Sequence, residues 1–412
     1  MTETQAGERL PDKRDAPADR TQFPCFDGFR AIAAMCVLVF HTGFVTGYTL
    51  RNHALGLPFF LSRLDLGVAI FFLVSAFLLY RPFVRAHLEQ RPAPSVRSFF
   101  RRRLLRILPA YWAALTVLAL LDAAPDVHTW RGFAIFYGLA QIYIPGRSLG
   151  GIGQTWSLAT ELSFYAFLPI YAWVLGRKVR PPERQLRVEL VGVLALYAFS
   201  VAFRLFTHAL FPDRAEMKFW LLSTTDLFAL GITIAVLSAW FAHRGDQPRF
   251  TTHRAFPAVS WALAAFAFWA VSIPLDLGRY PFGGISIGQD LARQTLYGIV
   301  GFFLLLPGVF GPQDRGGIRR FLQSRVVQLT GLVSYGIFLW HPWVTSQLFE
   351  WLGDARVGTD GRLRTSGGDG DVVSVLFVLA ATVLLTMAVA GLSYVLVERP
   401  FLRLKRRPLV DR

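Results

Sequence analysis

An arginine and a histidine stand eleven residues apart in the apolar stretch FDGFRAIAAMCVLVFHTG, residues 26–43. At 100° per residue, eleven steps end only about 20° past three full turns, so on a helix Arg30 and His41 share one face, roughly 16 Å apart along the axis. Inside a membrane, ionisable groups are costly and mark function. A neutral imidazole can take a proton from a reacting hydroxyl, and a guanidinium can hold an anion. The bland alternative is that Arg30 snorkels to a lipid headgroup while His41 is a buried histidine bonded to a neighbouring helix.

Other residues could join the pair. Arg103 and Arg106, in SFFRRRLLRILPAYW (98–112), lie three apart on one face, and paired guanidiniums suit phosphate groups; a stop-transfer cluster touching headgroups is the competing reading. Glu161, in QTWSLATELSFYAFLP (154–169), has no lysine or arginine in its own helix, so a partner such as His41 or His341 is expected. His341 precedes Pro342 in SYGIFLWHPWV (334–344). The proline leaves a carbonyl free one turn back, and His341 either bonds that carbonyl or helps the site. Ser75 in the second span could serve the site or bond back to its own helix. Asp226, in STTDLFALG (223–231), has an interhelix hydrogen bond as its alternative. Glu398 and Arg399, in YVLVERPF (394–401), are expected to make an ion pair or a headgroup contact rather than do chemistry.

The elements that must position these groups are membrane helices. The chain has 412 residues, 53% of them hydrophobic and 17% charged, and its apolar residues fall in runs of about 20. That composition predicts an all-α, polytopic bundle of about ten spans: 26–49, 66–82, 104–123, 154–176, 188–211, 219–242, 257–274, 291–311, 326–351 and 372–397. An eleventh segment, 131–144 (RGFAIFYGLAQIYI), is short enough to be re-entrant or interfacial. With it not spanning, alternate loops and tails hold 30 Lys and Arg on one side and 10 on the other. The positive-inside rule then puts both termini in the cytoplasm, as a multi-pass protein of the cell inner (plasma) membrane.

The formal charge of +16 is therefore read as topology plus one anion site, not as nucleic-acid binding. Residues 1–25 read as a disordered cytoplasmic tail, 26–404 as the membrane domain and 405–412 as a basic cytoplasmic tail; no cleavable signal peptide is expected. Cys25 and Cys36 make neither a disulfide framework nor a metal site. Trp130, Trp156, Trp220, Trp343 and Trp351 read mostly as an interfacial aromatic belt.

FDGFRAIAAMCVLVFH, RRRLLRILPAYW, TWSLATELSFYAFLP, TDLFALG, SYGIFLWHPW and LSYVLVERPF together resemble, in order, the blocks of the acyltransferase-3 family of integral membrane O-acyltransferases. The resemblance covers about residues 26–404, and the arginine, ten-residue gap and histidine are its most specific part. The family's usual Ser-Gly-Phe-Leu stands here as Ser75, Ala76, Phe77 and Leu78. The resemblance implies ten helices and transfer of an acyl group, usually acetyl from acetyl-CoA, to a hydroxyl of a carbohydrate, glycolipid or natural product. No bound cofactor is implied; acyl-CoA is a co-substrate.

By position, His41 and Arg30 correspond to the family's essential pair, while Arg103 and Arg106 belong to its acyl-CoA end. The expected site is thus His41, Arg30 and Glu161 for catalysis and Arg103, Arg106 and Ser75 toward the donor, with Asp27, Asp226 and His341 in support. Either Glu161 or His341 would orient His41, and Arg30 would hold the donor or fix its helix through Asp27. A transporter or flippase of a lipid-linked glycan is the competing class, but no internally repeated halves are visible. A membrane sensor or scaffold would tolerate apolar replacements at these polar positions.

Overall fold

Backbone in lipid must satisfy its own N–H and C=O groups, so the apolar runs fold as helices. The computed structural model describes residues 23–50, 56–275, 277, 285–351, 356–357, 363–364 and 372–404. The tails expected at 1–25 and 405–412 lie outside these, apart from residues 23–25. In chain order the main helices are α1 (Phe26–Val45), α2 (Gly67–Leu88), α3 (Val96–Leu120), α4 (Trp130–Tyr137), α5 (Trp156–Gly176), α6 (Pro182–Leu210), α7 (Thr225–Arg244), α8 (Phe256–Ser272), α9 (Ile287–Val309), α10 (Ser334–Trp351) and α11 (Val372–Ser393). A two-residue antiparallel ladder pairs Arg356 with Arg364 and Val357 with Leu363.

Among the described residues, 8 helical segments are long and apolar enough to cross a membrane: α1, Leu57–Leu88, α3, Gly153–Gly176, α6, α7, α9 and Leu376–Leu404. Two further helices, α8 with 17 residues and α10 with 18, complete the bundle of about ten. They are about 26 and 27 Å long, and His341 and Pro342 interrupt the apolar run of α10. The short segment near 131–144 is α4, 8 residues and so about 12 Å, followed by a 3₁₀ turn at Gln141–Tyr143; neither crosses a bilayer.

Two boundaries differ from the sequence expectation. The span expected at 326–351 is a short helix, Arg325–Leu332, and then α10. Gly331, in the last turn of the short helix, rests against the Asp27 carbonyl at the start of α1, where a Cβ has no room. The span expected at 219–242 begins as the 3₁₀ turns Ala215–Phe219 and Leu221–Ser223 and becomes helical only at Thr225.

The helices differ in what they face. The apolar window of Leu57–Leu88 is 78% buried, against 17% for α6 and 22% for Leu376–Leu404. The inner helices are therefore packing elements, while Leu194, Phe199, Phe266 and Leu384 lie exposed on the outside, as lipid-facing residues must. Stacked rings, Phe72 on Phe228 at 4.6 Å and Phe164 on Phe228 at 4.0 Å, bind α2, α5 and α7 together. Gly231 of α7 lets its backbone sit against the Leu73 carbonyl and the Ala76 Cβ of α2. The close approach at this level thus uses a glycine on the partner helix, with alanine at 76. α1 lies in the middle, against α2, α10 and α11.

Candidate active site

His41 faces α10, and its ring meets another imidazole. Its Nδ1 is 3.0 Å from the Val37 carbonyl oxygen and 2.9 Å from His341 Nε2, while His341 Nδ1 is 2.9 Å from the Ile337 carbonyl oxygen. A carbonyl only accepts, so His341 Nδ1 carries the proton, and in the neutral ring its Nε2 is an acceptor. The hydrogen between the rings therefore belongs to His41 Nδ1. This leaves His41 Nε2 with a free lone pair, the form a general base requires. The carbonyl that Pro342 frees, on Phe338, lies close enough to act on the His341 ring, and Gln154 Nε2 donates to it at 2.9 Å and to the Leu339 carbonyl at 3.1 Å.

His41 lines a cavity of about 130 Å³. Phe72, Trp156 and Phe338 supply apolar wall, and a polar wall is assembled from separated parts of the chain. The Arg204 guanidinium bonds Asp290 and, at 3.0 Å, the Ser223 carbonyl. The Tyr297 hydroxyl donates to Asp65. Lys218 and Arg293 lie on the same wall. Burial lowers the Lys218 ammonium pKa from its ordinary value, and the charges of Arg293 and Arg204 push it the same way against Asp290. Such like-charge crowding belongs to a place that gathers cations.

The arginines form a second cluster at the other end of α1. Arg30 Nη1 is 2.8 Å from Asp27 Oδ1, and the Arg103 and Arg106 charges reach it. Glu161 is not beside His41. One of its oxygens accepts from Ser75 and, at 2.6 Å, from the Tyr165 hydroxyl, and its charge acts on Arg103. Glu398 lies buried here with an oxygen lacking any hydrogen bond among the described residues and interacts with Arg106. Asp226 is held by Ser200 and Gln294, each at 3.1 Å. The fold thus joins His41 to His341, and Ser75 and Glu161 to the arginines, but leaves Arg30 and Glu161 away from the imidazoles.

A family profile described as an acyltransferase domain matches residues 23–393. The chain belongs to that family. A Komagataeibacter xylinus protein, provisionally named membrane-bound transacylase BcsY, is 26% identical over 401 residues, 92% of this chain and 83% of its own. Acyltransferase MdmB of Streptomyces mycarofaciens is 24% identical over 415 residues, 95% of each chain. A Staphylococcus aureus protein provisionally named an O-acetyltransferase is 23% identical over 398 residues, 92% of this chain. The chain spans only 57% of the length of that staphylococcal relative. No solved structure matches.

Sequence reasoning about this membrane acyltransferase missed Arg204, Lys218, Asp290, Arg293, Asp65 and Gln154 around the cavity; Glu398, expected in an ion pair or headgroup contact, lies buried and near Arg106 at the arginine end. One signal was available. Five of the 43 Lys and Arg, namely Arg30, Arg81, Arg106, Arg204 and Arg293, fall within the expected spans, where a cation needs a reason.

Proposed function

We propose that the protein transfers an acyl group, in the first place acetyl, from acyl-CoA to a hydroxyl of a carbohydrate, glycolipid or similar cell-envelope acceptor. The observation that carries this reading is the His41–His341 pair at the cavity, with its hydrogen bonds leaving His41 Nε2 as the unprotonated nitrogen. As the acceptor oxygen attacks the thioester carbonyl, its proton passes to His41 Nε2. When the C–S bond breaks, that proton passes to the departing CoA sulfur. One base serves both halves, with no acyl-enzyme in between. His341 touches no reacting atom; it holds the tautomer and the ring plane of His41.

At the other end, Arg103 and Arg106 receive the phosphates of the donor, as charge-assisted hydrogen bonds favour. Arg30, tied to Asp27, adds to the same field. The pantetheine arm then runs past Ser75, Glu161 and Tyr165 toward His41, along the face that α1 presents. The arginine end faces the cytoplasm of a cell with the protein in its inner membrane, where acyl-CoA is supplied, and both termini lie on that side. The loop charges support this orientation.

The test uses detergent-purified protein and measures release of free CoA from acetyl-CoA, with and without a crude cell-envelope extract. Release that rises with extract and disappears in His41→Ala is expected. Full release in that variant, or no release and no donor binding across several short acyl-CoAs, overturns the proposal and returns weight to transport.

A further inference from the structure

Arg293 is a cation of the cavity with no carboxylate at ion-pair distance among the described residues. It stands in the second turn of α9, is half-buried and lines the cavity together with His41. Two carboxylates lie near enough to act on it, Asp65 and Asp290, but each has a closer partner. Asp65 accepts from the Tyr297 hydroxyl and Asp290 from Arg204. Among the described residues Arg293 forms no ion pair; its guanidinium carbon lies 5.9 Å from the centre of the Tyr297 ring. Lys218 puts a second positive charge on the wall, close enough for the two cations to feel each other.

Charge in a low-dielectric chamber must be answered. Asp65 and Asp290 act on Arg293, but the wall sets three cations, Arg204, Lys218 and Arg293, against these two carboxylates, and Arg presents its donors as a planar fork that fits an oxyanion. His41 and Arg293 line one cavity of about 130 Å³, so a single bound unit can offer its hydroxyl to His41 and another of its groups to Arg293.

We infer that the His41 cavity holds an anion subsite built on Arg293 with Lys218, and that the acceptor carries an oxyanion, a carboxylate or a phosphate, on the same unit as its reacting hydroxyl. This rests on the acyl-transfer reading for what the cavity does, and it narrows the acceptor from any hydroxyl compound to an acidic one. The anion fixes the acceptor's orientation, so that one hydroxyl rather than its neighbours faces His41 Nε2. Arg293 is here a binding and positioning residue.

The experiment uses the full chain in detergent, titrated at fixed ionic strength with methyl glucuronoside, inorganic phosphate and neutral methyl glucoside, reading the rise in melting temperature. The glucuronoside or phosphate should bind more tightly than the glucoside. Arg293→Gln should weaken the anions by about tenfold or more, as loss of a charge-assisted hydrogen bond does, and leave the glucoside response in place. Arg293→Lys should restore part of the difference, which separates lost charge from a damaged fold.

Equal response to charged and neutral probes, or anion binding that survives Arg293→Gln, overturns the inference. So does anion binding lost instead in Arg103→Ala or Arg106→Ala, because the anion then sits at the arginine end. CoA release dependent on His41 is scored separately. Anion binding at Arg293 without such release keeps the subsite and removes the transferase, and the reverse result keeps the transferase and removes the subsite.

Discussion

The two ends of α1 are both polar, yet they are built in opposite ways. At the arginine end compact local motifs dominate: Arg30 bonds Asp27 three residues away, Arg103 and Arg106 are one turn apart, and Glu161 bonds Tyr165 one turn on, with Ser75 reaching Glu161 from another helix. At the cavity the groups come from far apart: His41 meets His341, Gln154 meets Phe338, and Arg204 meets Asp290. Local spacing suits a cluster that greets a flexible, multiply charged ligand at a surface. Long-range pairing fixes one imidazole in one tautomer, which is what the proposed proton transfer demands.

The comparison is sharpest if the ends fail differently. His41→Ala removes the proposed base and should lower kcat by about 10²–10⁴-fold, measured as CoA release with acceptor present while donor binding persists. His341→Ala should cost about 10–100-fold in kcat, the usual scale for a group that orients another. His341→Gln, whose amide oxygen can still accept from His41 Nδ1, should recover part of it. A merely structural His341 would not distinguish the two variants in kcat once their melting temperatures match.

At the arginine end the loss should appear in the donor's KM instead. Arg103→Ala and Arg106→Ala should each raise it about tenfold or more and flatten its salt dependence, with the acceptor's KM little changed. Equal shifts in both would break the division of labour between the ends.

The same contrast explains what could be read in the sequence. Helix number, the stripe joining Arg30 to His41, and the Arg103–Arg106 pair follow from periodicities within one segment, so they were legible. The partner of His41 was not, because Glu161 and His341 sit in different helices and only packing decides which of them α1 faces. Nor was the polar wall: Asp65, Arg204 and Arg293 look in sequence like charges at or within separate spans. The break before α10 was hidden too, since VVQLTGLVSYGIFLW is continuously compatible with helix, and the division appears where Gly331 packs on Asp27.

The smallest expected effect lies on the element that ties the cavity together. Pro342 has no N–H, so the Phe338 carbonyl has no helical donor, and Gln154 supplies one from the turn before α5. Gln154→Ala leaves a buried acceptor unpaired, at a cost of about 1–3 kcal/mol, seen as a drop of a few degrees in the melting temperature. Its effect on kcat should be slight, because His341 Nδ1 still donates to the Ile337 carbonyl. Pro342→Ala would restore the missing N–H and make Gln154 redundant. In that background Gln154→Ala should cost much less stability than in the wild type, a coupling that a double-mutant cycle measures directly. Simple additivity of the two substitutions would mean that Gln154 serves the cavity in some way other than answering the proline.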